Sequence, residues 1–346
     1  MTKKDSSVLK LKDLSSKNKI SLIYPNFRSQ LEVSVKKNTF LVAVSGGPDS
    51  LALSALSNTY LIEKKNKVFF VLVDHGIRAN SSKEAQNVKN LLKRKGINLR
   101  ILKNKKKIIK NLQSQAREIR YQLLLNFCKK YKIKFIMTGH HRDDQIETFL
   151  IRLSRGSGVQ GLSSMSKISN LNNTIKIFRP LLEEKKEDLV FLAKYYFGKI
   201  FKDPSNTNQK YLRTKIRNLI KQFEKSGIKH DRIINSINNL ASTRDTLNSY
   251  IERIERKCVT KKKKTININL KIFLLENNEI QLKIFSNCIK KVSKNYYPPR
   301  AKKVLNLLNR INSNQKIKAT LGGCVINKDK KNLTISKEEL KKGSKL

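Results

Sequence analysis

Three short polar clusters in this sequence combine residue types that could handle a nucleotide. The first is Ser45-Gly46-Gly47-Pro48-Asp49-Ser50, set between the apolar runs Phe40 to Val44 and Leu51 to Leu61. Glycines let a backbone come close to a ligand, and Pro, Asp and Ser suit a first helical turn. Strand, glycine turn and helix start together hold an anion, because unpaired N–H groups at the positive helix end face it. The loop is neither a Gly-Lys-Ser/Thr phosphate loop nor Gly-x-Gly-x-x-Gly. A tight turn with no ligand is the plainer alternative.

The second cluster, Asp74-His75-Gly76-Ile77-Arg78, closes an apolar run from Val68. Asp74 could hold Mg²⁺ or a nucleotide there, or could simply form the turn. The third is Gly139-His140-His141-Arg142-Asp143-Asp144, with Glu147 three residues on. Asp144 and Glu147 are spaced to share a helix face, expected to point away from the stripe Ile146, Leu150 and Leu153. Acids in a first turn cap the helix and complement its dipole. They could equally hold a cation, either Mg²⁺ on ATP or the ammonium of an amine substrate. For His140 and His141, contact with a nucleotide or a hydrogen bond fixing the loop fits better than zinc, since no further His or Cys is nearby. Arg117 and Arg120 lie on a helix whose other face is apolar, and Arg120 is a candidate for an α-phosphate or a substrate carboxylate. Arg152, Arg155, Arg179, Arg213 and Arg217, with Tyr211, could grip RNA backbone and stack on unpaired bases, or form exposed salt bridges.

The elements that must position these groups alternate. Strands are predicted at 40–44, 68–73, 98–102, 134–138 and 175–178, with helices at 51–64, 83–95, 111–131, after Asp144 and at 183–197. Along 111–131, Leu112, Ala116, Ile119, Leu123 and Phe127 step by three or four and predict one buried stripe. Alternation of this kind gives a parallel, doubly wound sheet, whose ligands bind beyond the carboxyl ends of the strands. All three polar clusters fall at that edge. Residues 155–174 form a long loop rich in Gly, Ser and Asn, a type often functional beside a site. From 209 to 257 the pattern is helical only. Short β segments near 265–269 and 316–336 surround helices at 276–292 and 300–311. The expected organisation is a lead-in over 1–39 with a short helix near Phe27 to Val35, and a nucleotide-binding domain over 40–205. A helical substrate domain follows over 206–260, then a small basic region over 261–346.

The chain has 346 residues and a formal net charge of +49, from 75 Lys and Arg against 26 Asp and Glu. Lys, Asn and Ile are all abundant, as an A/T-rich coding bias gives, and this inflates the figure. The excess still creates a field that attracts polyanions, nucleic acid first and a membrane surface second. No apolar window is long enough to span a bilayer and no signal core is present, so the cytoplasm is the expected compartment. The terminal Ser344-Lys345-Leu346 matches a peroxisomal address by chance. Cys128, Cys258, Cys288 and Cys324 are widely spaced and read as reduced, mostly structural thiols.

Ser45 to Ser50 is similar to the pyrophosphate loop of the N-type ATP pyrophosphatases. A longer ordered set of motifs is more specific. It comprises that loop, Asp74-His75-Gly76-Ile77-Arg78, Ala116-Arg117 through Arg120-Tyr121, His140 through Thr148, and Arg155-Gly156-Ser157-Gly158 through Gly161-Leu162. Arg179-Pro180-Leu181-Leu182 and Asp203-Pro204-Ser205-Asn206 through Tyr211, Arg213 and Arg217 complete it. With these motifs the chain resembles the tRNA(Ile)-lysidine synthetase family over residues 40–217. Leu321-Gly322-Gly323 resembles a turn near the end of that family's C-terminal domain. The resemblance implies an adenine nucleotide α-hydrolase-like fold and a ligase using ATP and Mg²⁺. It implies that the wobble cytidine of a CAU-anticodon tRNA(Ile) is adenylated and then joined to L-lysine, giving lysidine, AMP and pyrophosphate. It also implies residue roles. Ser45, Gly46, Gly47, Pro48, Asp49, Ser50, Asp74, His75 and His140 would bind the nucleotide, Asp49 and Asp74 with Mg²⁺. Asp144 or Glu147 would bind lysine, and Arg120 a phosphate or the lysine carboxylate. A homodimer stays an open alternative for the assembly.

Two other enzymes and one non-enzyme compete with this reading. A pyrophosphate-loop tRNA thiolase typically carries paired cysteines, and Cys128 is the only cysteine in the expected nucleotide domain. A small-molecule amidating ligase leaves the basic helical part unexplained. A non-catalytic RNA-binding protein would be expected to carry a degenerate loop.

Overall fold

The structure, a computed structural model, describes residues 22–77, 80–104, 112–172, 174–201, 212–293, 299–312 and 317–338. Arg78, Asp203 to Asn206, Tyr211 and the terminal Ser344-Lys345-Leu346 lie outside the described residues. The chain divides into two units, residues 1–241 and 242–346.

The first unit opens with α1 (Ile23–Ser34), β1 (Phe40–Val44), α2 (Pro48–Lys64), β2 (Val68–Asp74), α3 (Ser81–Lys93) and β3 (Leu99–Lys103). It continues with α4 (Leu112–Lys130), β4 (Phe135–Met137), α5 (Arg142–Leu153), α6 (Val159–Leu162), β5 (Ile168–Asn170), β6 (Lys176–Phe178), α7 (Lys186–Phe197) and α8 (Leu212–Lys225). The helix α9 (His230–Cys258) follows. The sheet order is β3-β2-β1-β4-β6-β5. All neighbours are parallel except β5, which runs antiparallel to β6.

The sheet is buried on both faces because its central strands carry apolar residues at successive positions. Phe40, Val42 and Val44 of β1 pack with α1, α2, α3 and α7 on one side. Leu41 of the same strand packs with Phe69, Val71 and α4 on the other. The lead-in helix α1 is thus part of the core, through Ile23, Tyr24, Phe27 and Leu31. Among the described side chains of α4 the buried ones are Leu124, Phe127 and Cys128, and Leu123 of the predicted stripe, one position before Leu124, is only half-buried. The 3.6-residue period leaves that choice to the neighbouring strands, and Phe69 and Tyr131 fill the space beside Phe127.

Helix α5 departs further from expectation. Ile146 and Leu150 are buried, but Leu153 is 50% exposed and Glu147 is only 2% exposed. Ile146 and Leu150 join Ile216, Ile220, Ile233 and Ile237 in a further apolar cluster that packs α5 against α8 and α9, while Arg217 of α8 covers Glu147. Two sides of α5 are therefore covered, where a surface helix would cover one. The segment after it is built rather than open, holding α6 and β5. Gln145 exchanges hydrogen bonds with the Met165 backbone at 2.8 and 2.9 Å. Arg152 donates to the carbonyls of Gly161 and Ser164, and Arg179 to that of Ser166 and the Ser169 hydroxyl. These two arginines fasten the loop.

The second unit contains β7 (Val259–Lys261), β8 (Thr265–Asn269), α10 (Leu270–Phe273), α11 (Asn278–Ser293), α12 (Ala301–Ile311), β9 (Ile317–Leu321), β10 (Cys324–Lys328) and β11 (Asn332–Lys337). Its sheet, β7-β8-β11-β10-β9, is antiparallel throughout. Alternate residues Ile266 and Ile268, Leu333 and Ile335 face a core closed by Ile284, Phe285, Val304 and Leu308 of α11 and α12. Among the described residues no helix is long and apolar enough to cross a membrane.

Candidate active site

The strand order reverses at β1, whose neighbours are β2 and β4. From β1 the chain runs on to β2 on one flank, and from β4 to β5 and β6 on the other, so the carboxyl ends of β1 and β4 meet where ligands of such sheets bind. The loop Ser45–Ser50 follows β1, and His140 to Asp144 follow β4.

The loop is closed by its own side chains. The Ser50 hydroxyl accepts from the Ser45 N–H and hydroxyl, each at 3.1 Å, and donates to the Gly47 carbonyl at 3.0 Å. Gly47 is the N-cap of α2 and Pro48 begins the helix, so the first-turn N–H groups point out of the loop. Gly46 has φ +88°, and a Cβ there would come within 2.6 Å of Val88 on α3. At Gly47 a Cβ would meet only Ser45 Oγ, at 3.7 Å. The room beside Gly47 is therefore not occupied by protein, as a phosphate cradle requires.

A second close approach brings the two loops together. A Cβ on Gly139 would lie 2.8 Å from the Asp49 carbonyl oxygen and 3.1 Å from the Ser50 nitrogen. With hydrogen there instead, the β4 loop lies flush on the first turn of α2. This contact carries His141 and Asp144 to Asp49. His141 is the N-cap of α5, and its Nδ1 accepts from the Asp143 N–H at 3.2 Å. Asp144 closes the capping box by accepting the His141 N–H at 3.1 Å. With Nδ1 an acceptor, the neutral ring carries its proton on Nε2. That atom lies 3.7 Å from Asp49 Oδ2 and 3.6 Å from Asp144 Oδ2.

The acids differ electrostatically. Burial raises the Asp49 carboxyl above its ordinary value, with His141 opposing and Asp144 adding to the shift. Burial also acts to raise Asp144, but His141, His140, the His141 N–H and Arg213 outweigh it and hold the carboxyl low. Glu147 is buried against Arg217, with Nε to Oε1 at 2.5 Å, and its Oε2 lies 3.8 Å from Arg213 Nε. His140 Nδ1 is 2.8 Å from Thr138 Oγ1, and burial lowers its pKa to about 4.

At the end of β2, Asp74 accepts from the Gly76 N–H at 3.1 Å and the Ser82 hydroxyl at 2.7 Å. These bonds outweigh burial and lower its pKa. Arg120 lies against His75, 3.4 Å from Nε2, and burial with that guanidinium lowers the histidine to about 4. Of the predicted site residues the structure thus joins Asp49 with Asp144, and Asp74 and His75 with the end of β2 beside Arg120. Arg213 and Arg217, read from sequence as RNA ligands or surface pairs, converge on Glu147. His141 as the link between two carboxylates was not legible; its helix-cap position was the signal that could have pointed to it.

Among the described residues no cluster of three or more His, Cys, Asp or Glu side chains could hold a metal by itself. Asp49 Oδ1 is nevertheless a buried acceptor without a hydrogen-bond partner. That suits Mg²⁺, which takes one or two carboxylates and completes its shell with phosphate oxygens and water. Asp74 has both oxygens engaged in its own turn and fits the ion less well.

Comparison with known proteins extends this picture. The PP-loop domain family, whose members bind ATP, matches residues 16–223. A tRNA(Ile)-lysidine synthase of Wolbachia pipientis wMel is 38% identical over 308 residues, covering 87% of this chain and 71% of the relative. That of Rickettsia felis is 34% identical over 310 residues, covering 87% and 70%. Among solved structures, U34-tRNA thiolase NcsA from Methanococcus maripaludis aligns with a TM-score of 0.55 at 20% identity, over 64% of this chain and 78% of that one. At so low an identity the likeness to the thiolase is one of fold. Identity sustained across most of both sequences, by contrast, means that the chain belongs to the tRNA(Ile)-lysidine synthase family of PP-loop enzymes.

Proposed function

We propose that this chain joins L-lysine to carbon 2 of the wobble cytidine of a CAU-anticodon tRNA(Ile), through an adenylated cytidine. The observation that carries the reading is the seating of Gly139 on Asp49 and Ser50, which turns the acid-bearing end of α5 toward the pyrophosphate loop. In the first step the cytidine O2 attacks the α-phosphorus of ATP. The bond to the β-phosphate oxygen breaks, and pyrophosphate stays on the loop. The N–H groups around Gly47 and the positive end of α2 meet the charge that grows there. Mg²⁺ held by Asp49 and the phosphates would neutralise part of the triphosphate charge when bound. Arg120, against His75 at the neighbouring strand end, would meet the α-phosphate or the lysine carboxylate, and His75 the nucleotide.

In the second step the ε-amine attacks carbon 2, the new C–N bond forms, and the bond from carbon 2 to the AMP oxygen breaks. The amine must first be neutral. A carboxylate held below its ordinary range is a weak base, so Asp144 binds and aims the ammonium, and the proton is lost to water. Glu147, already facing Arg217 and Arg213, fixes α8 against α5 and keeps Asp144 in place. Sulfur transfer is the weaker reading. Cys128, Cys258, Cys288 and Cys324 are all buried, and burial pushes Cys128 up to about 12. A thiol so placed is inert at neutral pH.

The test is to incubate the full chain with a CAU-anticodon tRNA(Ile), ATP and lysine, digest the RNA and weigh the wobble nucleoside. A lysine adduct is expected. An unmodified cytidine with all three substrates present, or a thio group given a sulfur donor, sinks the reading.

A further inference from the structure

Asp49 and Asp144 come from different elements, one ending the pyrophosphate loop and one opening α5, and a single N–H stands between them. His141 is 2% exposed, so water cannot easily replace that donor. Its ring is oriented by the bond from the Asp143 N–H to Nδ1 at 3.2 Å, which leaves Nε2–H as the remaining donor. At 3.7 and 3.6 Å that atom is slightly too far from either carboxylate for a full hydrogen bond and nearly equidistant from both. One proton cannot serve two acceptors at full strength.

We propose that His141 is a positioning residue that couples the nucleotide half of the site to the amine half, by giving its Nε2–H to whichever carboxylate the ligands leave uncompensated. This rests on the function proposed above. When nucleotide and its cation engage Asp49, the histidine turns fully to Asp144 Oδ2, which also accepts the His141 N–H. Asp144 is then held by two donors on one oxygen, and its other oxygen faces the ammonium in a fixed direction. ATP thus tightens lysine binding, and by linkage lysine tightens ATP to the same degree. A hydrogen bond to a charged group is worth about tenfold or more in an equilibrium constant, which sets the size of the coupling.

Two substitutions separate coupling from helix capping. His141→Asn keeps a strong N-cap acceptor for the Asp143 N–H but is too short to reach the carboxylates. His141→Gln keeps a donor near Nε2 and loses the cap. Lysine is titrated calorimetrically into the full-length chain, with and without α,β-methylene ATP and Mg²⁺. In the unmodified protein the analogue should lower the lysine Kd about tenfold. In H141N the ratio should fall close to one, with a smaller drop in melting temperature than in H141Q because the cap is kept. In H141Q the melting temperature should drop and most of the ratio should persist. A wild-type ratio of one, an H141N ratio equal to wild type, or an H141Q ratio near one overturns the proposal. If lysine binds without coupling, only the role of His141 falls. If it does not bind the unmodified chain at all, the proposed function falls with it.

Discussion

Replacing Gly139 by Ala tests the contact on which the site depends. The added Cβ would lie 2.8 Å from the Asp49 carbonyl oxygen, 2.9 Å from its carbon and 3.1 Å from the Ser50 nitrogen. All three are backbone atoms in a first helical turn and cannot swing aside. An ordinary contact needs roughly 3.4 Å or more, so the β4 loop must retreat by about half an ångström. Overpacking of this kind costs about 1–3 kcal/mol. For a folded unit of this size that lowers the melting temperature by roughly 2–12 °C. Chemistry should suffer more than stability: a displacement of about 1 Å costs on the order of a hundredfold in rate, so about half that distance should cost roughly tenfold. Gly47→Ala is the control. Gly47 has φ −69° and ψ 161°, which alanine adopts freely, and its Cβ meets nothing closer than 3.7 Å. Stability should hold or rise by up to about 1 kcal/mol. Nucleotide binding should fall, since the methyl group enters the phosphate cradle. Thermal unfolding and tRNA-dependent ATP–pyrophosphate exchange, measured on both variants, separate the two effects. A G139A protein with wild-type melting and wild-type exchange would refute the loop-on-loop contact. A G47A protein that binds ATP normally would refute the cradle.

Arg217→Met should destabilise the first unit by about 3 kcal/mol, because Glu147 is left buried with only the more distant Arg213; chemical denaturation showing no loss would mean that Glu147 finds another partner. His75 and His140 titrate near 4 in the folded chain against 6.5 in an exposed one, so between those values the unfolded chain binds more protons. Their contribution to stability is full above pH 6.5 and disappears as pH falls toward 4, with a slope of about 2 kcal/mol per pH unit near pH 5; flat stability from pH 6.5 to 5 would contradict this. Burial pushes Cys128 and Cys288 up to about 12 and Cys258 to about 11, and raises Cys324. A disulfide reagent should therefore label none of the four thiols in the native chain and all four in denaturant, and fast native labelling would reopen a role for sulfur.

Much of the architecture was readable from local pattern. Phe40 to Val44 is an unbroken apolar run, short and closed by a glycine turn, as a strand buried on both faces reads. The turn chemistry of Ser45 to Ser50 and the acids opening α5 are likewise local, because helix ends are satisfied by residues a few positions away. That locality makes Asp144 a candidate from the sequence, while the role of Asp49 comes with the resemblance of its loop. The functional assignment had a further source, the ordered motifs through residue 217, and the related sequences carry it. Tertiary structure alone decided what those acids meet. Glu147 and Arg217 are 70 residues apart, and Arg152 and Arg179 hold a loop through its carbonyls. Glu147, expected on the side of α5 turned from its apolar stripe, is covered because Arg217 and Arg213 of α8 reach over it. Periodicity reports that a helix has an apolar face, but not which neighbours close over its polar one. The meeting of Asp49 with Asp144 at His141 needed one missing side chain, at Gly139, which matters only once two strands distant in sequence lie side by side.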